Sequence, residues 1–442
     1  MISMKRRQFI KSFVAGSSLA AFGGLPTRVY SAPEDYTGRF LVVLQLEGGW
    51  DVTQLCDPKT NTPGEPDINN WANTASIQTA GRIGYAPVAS NQRLFETHHN
   101  KMLVVNGVDA QTNSHTTGVL HNWSGRNAAG LPTLTSMFAA ENAAGLPLAY
   151  VNNGGFVDTA GLVRYSRLND HNALLELIDP AVLPWDSERQ IRRDSDISRV
   201  QRFQRAAIER RLASSNITPR QRENLNAYLN ARASRASLRD FGAILPTDDN
   251  IQGNVSLPTL NWESDLLRQM QLSLLTFKAG VGVASDLILG GFDTHTNHDP
   301  QHAELYSHMA DAIDYFWNYA GELGISDRIT LVLGSDFSRT NFYNADQGKD
   351  HWPIGSYIIM EEAPTWGNRV VGITDELHNA LQINPTTLQR DDANGITLYP
   401  KHVHKALRRY LGIEDFATEQ RLSFGFTEDV DLFASDKWTA QT

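Results

Sequence analysis

Short apolar runs alternate with longer amphipathic segments along most of this chain. A short apolar run has the length of a buried strand, and a 3.6-residue apolar period over a longer window indicates a helix. The strand-like runs cover residues 39–46, 102–106, 148–151, 287–289, 329–333 and 357–360. The helix-like segments cover residues 133–144, 266–278, 300–323 and 402–411. Strands separated by helices predict an α/β fold with a mostly parallel central sheet and helices on both faces.

Two segments depart from this alternation. Residues 57–92 are rich in Asn, Thr, Pro and Gly and have no strong period, which predicts a long surface excursion. Residues 186–243 differ in charge, because the part from Arg189 to Asp240 contains thirteen arginines against five acids. Within them, Thr218, Pro219 and Gln221 form a helix-start signal. We therefore predict an arginine-rich helical insertion, which is either a solvated helical face or a basic surface that docks an anionic substrate or partner.

The first 31 residues have the pattern of a targeting segment. A basic start with the paired arginines Arg6 and Arg7 precedes a weakly apolar stretch, as in a twin-arginine signal peptide. This predicts an exported protein, periplasmic or extracellular, with the twin-arginine translocase as its partner during export. The remaining residues, 32–442, are predicted to form a single domain that carries the insertion. No apolar run approaches about 18 residues, so no membrane span is expected.

Charge and cysteine content narrow the function classes. Removal of residues 1–31, which hold five basic residues and no acid, changes the formal net charge from −10 to −15. Such an acidic chain is not expected to bind nucleic acid. The only cysteine is Cys56, so an internal disulfide and a thiolate metal cluster are both excluded. We interpret Cys56 as a buried structural thiol. The composition gives no indication of oligomeric state.

Acids and histidines follow the predicted strands. Asp293, His295 and His298 lie in the segment SDLILGGFDTHTNHDP, while Asp51 and Asp336 end the runs FLVVLQLEGGWD and ITLVLGSD. Ligands of open α/β sheets bind beyond the carboxyl ends of the strands, so these side chains are expected to converge. The alternative is that each acid caps the helix that follows it.

Together with His351, these residues supply carboxylate oxygens and imidazole nitrogens, the ligands of divalent metals in hydrolytic sites. We expect one or two ions of zinc, manganese or calcium. Two ions would clamp the attacking and leaving oxygens of a phosphoryl or sulfuryl transfer.

Candidate catalytic groups lie beside these ligands. Ser114 and Thr116 flank His115, itself a catalytic candidate, in a predicted loop, and either hydroxyl is a candidate nucleophile if a metal lowers its pKa. The alternative is a turn in which both hydroxyls satisfy local backbone groups. Arg339 either holds an anionic group with its planar donors or forms an ion pair with Asp336.

Six motifs occur in order along nearly the whole predicted mature chain and its signal: RRxF, LVVLQLEGGWD, NSHTTG, GGFDTHTNH, GSDFSRT and KDHW. This set resembles the exported bacterial family called "domain of unknown function 1501", which is similar to the alkaline phosphatase and sulfatase superfamily. The resemblance implies an alkaline-phosphatase-like three-layer sandwich with a metal cluster at the strand ends.

The resemblance also implies roles by position. Asp51 would be the early metal-binding acid, and Ser114 or Thr116 would stand at the nucleophile position. Asp293 with His295 or His298 would bind one metal; Asp336 would bind the other, and His351 would be the late ligand. The superfamily often has Asp-His where this chain has Asp336 and Phe337, and the family more usually has Glu-Phe-Gly-Arg where Asp336 to Arg339 stand.

These observations predict a metal-dependent hydrolase of small anionic phosphate or sulfate esters. The alternative is an exported binding or assembly protein on a degenerate hydrolase fold, docking through its arginine-rich insertion. Phe337 supports this alternative, because it removes a ligand that the superfamily often has.

Overall fold

The computed structural model describes residues 36–168, 182–183, 186–190, 193–247 and 249–441. The predicted signal segment, residues 1–31, lies outside the described residues. In the described part of the chain, strands are numbered β1 (Phe40–Leu46), β2 (Gln78–Ala80), β3 (Ile83–Tyr85), β4 (Met102–Asp109), β5 (Tyr150–Asn152), β6 (Tyr165–Ser166), β7 (Val182–Leu183), β8 (Asp186–Gln190), β9 (Val255–Leu257), β10 (Trp262–Ser264), β11 (Ala284–Leu289), β12 (Ile329–Ser335), β13 (Ser338–Arg339), β14 (His351–Trp352), β15 (Ile354–Met360) and β16 (Arg369–Val371).

Eight of these strands form one central sheet in the order β16-β4-β15-β12-β1-β11-β5-β6. Strand β15 is antiparallel to its neighbours β12 and β4, and the other pairings are parallel. All seven residues of β1 are buried, as expected for a strand covered on both faces. The mostly parallel central sheet predicted from the sequence is confirmed.

The helices are α1 (Asn91–His98), α2 (His115–Ser124), α3 (Leu134–Ala143), α4 (Asp194–Leu212), α5 (Pro219–Ile244), α6 (Leu266–Lys278), α7 (His298–Glu322), α8 (Pro400–Tyr410) and α9 (Glu414–Glu419). Adjacent residues of a strand point to opposite faces of its sheet. In β11, Ser285 hydrogen-bonds Ser273 of α6, and Asp286 accepts a hydrogen bond from Thr135 of α3. Helices α3 and α6 therefore cover opposite faces, which gives the three layers that were predicted.

The predicted elements differ from the observed ones mainly at their ends. Helix α6 has the predicted bounds, whereas α7 begins two residues before the predicted start, at His298. Strand β11 begins at Ala284 because its polar residues Ser285 and Asp286 are buried with hydrogen-bond partners, which the apolar pattern does not reveal. The prediction that His115 lies in a loop is wrong, since it is the first residue of α2.

The arginine-rich segment contains the two helices α4 and α5. Helix α5 begins with the predicted capping box, in which Thr218 and Gln221 exchange side-chain and backbone hydrogen bonds. Phe241, near the end of α5, is buried in a core cluster with Leu272 and Leu275 of α6, and this contact attaches the pair to the sheet layers. Within the described ranges, every helix is too short or too polar to cross a membrane.

Candidate metal centre

One edge of the central sheet collects most of the candidate residues. Because β15 runs against its neighbours, its amino end lies at the edge where β1, β4, β11 and β12 end. His351 begins β14, three residues before β15, while His115 follows β4, and Asp293 and His295 follow β11. Residues that are far apart in sequence therefore meet at this edge, as expected for an α/β sheet.

Four ligand atoms converge there. His351 Nε2 lies 3.2 Å from His115 Nε2, 3.0 Å from His295 Nε2 and 3.1 Å from Asp293 Oδ1. Asp293 Oδ1 is also 3.4 Å from His115 Nε2 and 3.1 Å from His295 Nε2. We call these four residues the metal centre. The ligand atoms of His115, Asp293 and His351 all lie within 4.8 Å of one another.

The other nitrogen of each imidazole has an acceptor. His115 Nδ1 donates to Asp336 Oδ2 at 2.6 Å, and His295 Nδ1 donates to Asp350 Oδ1 at 2.7 Å. His351 Nδ1 donates to the backbone oxygen of Asn113 at 2.7 Å. We assign the protons from these acceptors, which leaves each Nε2 of the neutral rings with a free lone pair. Carboxylates and carbonyls in this position are typical partners of metal-binding histidines.

The convergent atoms fit a metal ion. Unprotonated Nε2 atoms that face one another repel unless a cation lies between them. Ligand atoms on a tetrahedral zinc ion are separated by about 3.3 Å, given bonds of about 2.0 Å. The three separations among His115, Asp293 and His351, 3.1–3.4 Å, are close to this value. Imidazole nitrogens together with a carboxylate oxygen also match the ligand preference of zinc.

Arg339 balances the charge of Asp293. Its Nη2 donates to Asp293 Oδ1 at 2.7 Å, while Nε and Nη1 donate to the backbone oxygens of Gly49 and Lys349. Burial raises the pKa of Asp293, but the hydrogen bond and charge of Arg339 outweigh this and lower it to about 2. Arg339 is fully buried, so it holds Asp293 rather than an external anion. Arg339 also does not form the ion pair with Asp336 that was the other prediction, because its partner is Asp293.

The sequence predicts Asp336 as a direct metal ligand, but Asp336 contacts the nitrogen of His115 that faces away from the metal centre. Its Oδ2 accepts from His115, and its hydrogen bond raises the pKa of that imidazole. Its Oδ1 accepts a 3.4 Å hydrogen bond from the backbone of Gly48. Asp336 therefore orients a ligand. Glu47, which the sequence analysis does not identify, lies nearby and is exposed. Partial burial, and then the charge of Asp336, raise the pKa of Glu47, so its carboxyl group keeps a proton to higher pH.

Close backbone approach explains the glycines after β1. Gly48 has φ +116°, a conformation that residues with side chains rarely adopt. A Cβ atom added to Gly48 would lie 2.5 Å from the backbone nitrogen of Asp293. The Gly-Gly turn after β1 thus lets the loop after β11 reach the metal centre.

Asp51 and His298 do not join the metal centre, contrary to the sequence prediction. Both are fully buried, and Asp51 Oδ2 lies 2.6 Å from Lys349 Nζ and 3.0 Å from His298 Nε2. Burial raises the pKa of Asp51, but Lys349 and His298 hold it well below its usual range. We call Asp51, His298 and Lys349, with Thr53 and Asn69, the buried ion cluster.

A closed chain of hydrogen bonds explains why His298 offers no lone pair to a metal. The Asp51 backbone donates to His302 Nε2 at 3.2 Å, so the proton of that ring is on Nδ1. His302 Nδ1 donates to Thr294 Oγ1, which in turn donates to His298 Nδ1 at 2.6 Å. The remaining proton of His298 is on Nε2 and points at Asp51. Burial lowers the pKa of both histidines, in agreement with neutral rings.

The predicted nucleophiles lie beside the metal centre in sequence. Ser114 is the N-cap of α2, makes no side-chain capping bond and is exposed, as is Thr116.

Phe337 is buried, and its ring packs on His115 and His351 with centroids 4.7 and 4.6 Å away. Cys56 is a buried free thiol, as predicted.

The sequence matches the profile of the family described as "Protein of unknown function (DUF1501)" over residues 39–391. The chain belongs to this family. No curated protein matches it at a significant level.

Solved structures with similar folds include sulfatases and an alkaline phosphatase. A chain from work on metabolism of multiple glycosaminoglycans by Bacteroides thetaiotaomicron has 8% identity and a TM-score of 0.41, with 92% of this chain and 78% of that chain covered. The lipoteichoic acid synthase LtaP from Listeria monocytogenes has 8% identity and a TM-score of 0.35, with 90% and 76% covered. TAB5 alkaline phosphatase has 9% identity and a TM-score of 0.30, with 73% and 90% covered.

Proposed function

We propose that this chain is an exported, metal-dependent hydrolase of small phosphate or sulfate esters. The observation that carries the proposal is the metal centre, where the Nε2 atoms of His115 and His295 and the Oδ1 atom of Asp293 lie 3.0–3.2 Å from His351 Nε2. The centre is open to solvent, because 47% of the Asp293 side chain and 35% of the His115 side chain are exposed. A catalytic zinc ion has three protein ligands and an open fourth position, which the group of His115, Asp293 and His351 would provide.

The residues around the centre have separate tasks. His115, His351 and Asp293 would hold the ion, with His295 beside them, and a nitrogen-rich set favours zinc or another transition metal over calcium, which prefers oxygen ligands. When bound, a divalent ion polarises an ester oxygen and lowers the pKa of a water or hydroxyl. Asp336 and Asp350 keep the imidazole protons on Nδ1.

Proton transfer and attack need further groups at the mouth of the centre. Glu47 is exposed there and its pKa is raised, so it is suited to give a proton to a leaving oxygen. Ser114 or Thr116 supplies the attacking hydroxyl, unless water attacks directly.

Elemental analysis of the export-processed protein, beside an Asp293→Ala/His351→Ala variant, tests the proposal. We expect about one equivalent of a transition metal in the wild type and none in the variant. Hydrolysis of aryl phosphates and aryl sulfates would then be measured in both proteins. A folded wild type that binds neither zinc, manganese nor calcium would overturn the hydrolase proposal.

Export by the twin-arginine translocase is part of the proposal. It is supported by Arg6 and Arg7 at the head of a weakly apolar segment. Replacing both arginines by lysine should retain the full-length chain in the cytoplasm, as cell fractionation would show. Export of the lysine variant at the wild-type rate would contradict this route.

A second candidate function is an exported binding or assembly protein. Two apolar side chains of α4 are exposed, Val200 by 55% and Phe203 by 74%, and arginines adjoin both. Exposed aromatics beside arginine are typical of protein interfaces. If this function is the main one, Val200→Ser/Phe203→Ser abolishes partner capture and leaves metal content unchanged.

A further inference from the structure

Lys349 occupies a cage of oxygen atoms inside the protein. Its Nζ lies 2.6 Å from Asp51 Oδ2, 3.2 Å from Asn69 Oδ1 and 3.4 Å from Thr53 Oγ1. The Tyr343 ring lies 5.0 Å away on another side. A carboxylate, an amide carbonyl and a hydroxyl are the oxygen ligands that hard metal cations take in proteins.

The charge balance of this cage requires a cation. The side chains of Asp51 and Lys349 are both fully buried, and a buried carboxylate is very unfavourable without a partner of opposite charge. Thr53 donates to Asp51 Oδ1 through both its backbone and its hydroxyl, so the remaining oxygen of the carboxylate faces the ammonium group.

The residues next to the oxygen cage, His298 and Phe337, offer no ligand atom to a second metal ion. His298 turns a protonated Nε2 to Asp51, because the chain of hydrogen bonds through Thr294 fixes its proton there. On the side of the metal centre, Phe337 places a ring without ligand atoms against His115 and His351. Across the described ranges, the metal centre supplies the one group of three or more residues with ligand atoms in reach of a common ion.

We infer that Lys349 is a permanent internal cation in the position of a second metal ion, so that the centre holds a single divalent ion. The inference rests on the proposed function, because it sets the number of ions in the same site. It excludes the two-ion clamp that the sequence left open. The second positive charge is instead fixed in the fold.

The same lysine also positions the metal centre. Its backbone nitrogen donates to Thr294 at 3.1 Å, and its backbone oxygen accepts from Arg339. The next two residues are Asp350, the partner of His295, and His351. Anchoring Lys349 in the oxygen cage therefore fixes the start of the segment that carries a ligand and an orienting acid.

Metal-free wild type and three variants, titrated with Mn²⁺, test the inference. Calorimetry gives the number of ions bound, and electron paramagnetic resonance separates an isolated Mn²⁺ from a coupled pair. We expect one equivalent and an isolated-ion spectrum for the wild type. Lys349→Ala empties the cage but keeps its oxygens, so it should bind a second equivalent.

Two control variants show whether the cage is responsible. Lys349→Met fills the space without charge or ligand atoms and should bind one equivalent. Lys349→Ala/Asp51→Asn removes the carboxylate and should return the count from two to one.

Each result decides the inference. Two equivalents in the wild type overturn it, even if no variant folds, and one equivalent supports it. A folded Lys349→Ala that keeps one equivalent overturns it but leaves the proposed hydrolase standing. A wild type that binds no ion overturns the proposed function, and uptake of Mn²⁺ by Lys349→Ala then still reports on the cage alone.

Discussion

His115 Nδ1 lies 2.6 Å from Asp336 Oδ2, and this contact turns the opposite nitrogen of the imidazole toward the metal centre. Acids that orient a metal-binding histidine typically contribute about 10–100-fold to metal affinity. We therefore expect Asp336→Ala to weaken metal binding by about this factor. Asp336→Asn should have a smaller effect, since an amide oxygen still accepts the hydrogen bond.

Competition with a chromogenic chelator measures both affinities. Asp327→Ala is the matched control, because Asp327 is an exposed acid just before the other end of β12. Wild-type affinity in Asp336→Ala would show that the contact does not orient a metal ligand.

Asp51 and Asp293 should behave differently when each is changed to asparagine. Asp293→Asn removes a direct ligand, so metal affinity should fall by more than the roughly 10–100-fold expected for an orienting acid. Asp51→Asn leaves the buried Lys349 without its carboxylate, so it should cost about 3–5 kcal/mol of unfolding free energy. Urea unfolding and metal analysis of both variants distinguish these outcomes. Equal loss of metal with unchanged stability in the two variants would contradict this division.

Gly48→Ala should damage both stability and metal binding. At φ +116°, an added side chain strains the backbone by about 1–3 kcal/mol, and its Cβ would press on the Asp293 backbone nitrogen. The control is Gly253→Ala, where a new Cβ atom meets nothing within 4 Å. Denaturant unfolding and chelator competition should show losses for Gly48→Ala alone, and equal behaviour of the two variants would refute the close approach.

His404 should make the protein less stable in acid. Burial lowers the pKa of this imidazole to about 3, below the value of about 6.5 expected in the unfolded chain. Since the unfolded state takes up the proton first, stability is complete above about pH 6.5 and falls as the pH drops from there toward 3. The loss at about pH 5 is roughly 2 kcal/mol.

Replacing the imidazole with a group that does not titrate tests this dependence. His404→Gln should therefore show a fall in unfolding free energy between about pH 7.5 and 5 that is smaller by roughly 2 kcal/mol than in the wild type. Comparing the two proteins cancels the titration of other groups. Parallel curves for the two proteins would count against a buried neutral His404.

Hydrophobic periodicity was sufficient to predict most of the layers. Helix α6 has a continuous apolar pattern, and its predicted bounds agree with the structure. Strand β11 was predicted too short because Asp286, which follows Ser285, is buried and bonded to Thr135 across the layer. A buried polar residue with a distant partner cannot be distinguished from an exposed one by its position in the sequence.

The candidate site was predicted as a location but not as a ligand set. The segments GGWD and GGFD are nearly identical, yet Asp293 enters the metal centre and Asp51 turns inward. The difference is made by Lys349, which follows Asp51 by 298 residues. The sequence predicts a catalytic role for His115 beside Ser114. Its position as a ligand is not apparent from the sequence, because the orientation of its ring depends on Asp336, which follows β12.

Strand β15 runs against its neighbours, and this reversal brings His351 to the same edge as His115, 236 residues earlier. A bound ion would consequently act as a cross-link between early and late parts of the chain. Closing so long a loop removes entropy from the unfolded ensemble, and ligands held in the native state alone oppose unfolding. Metal loading would then determine the lifetime of the folded protein, because the metal-free chain would unfold more often and be degraded by proteases sooner.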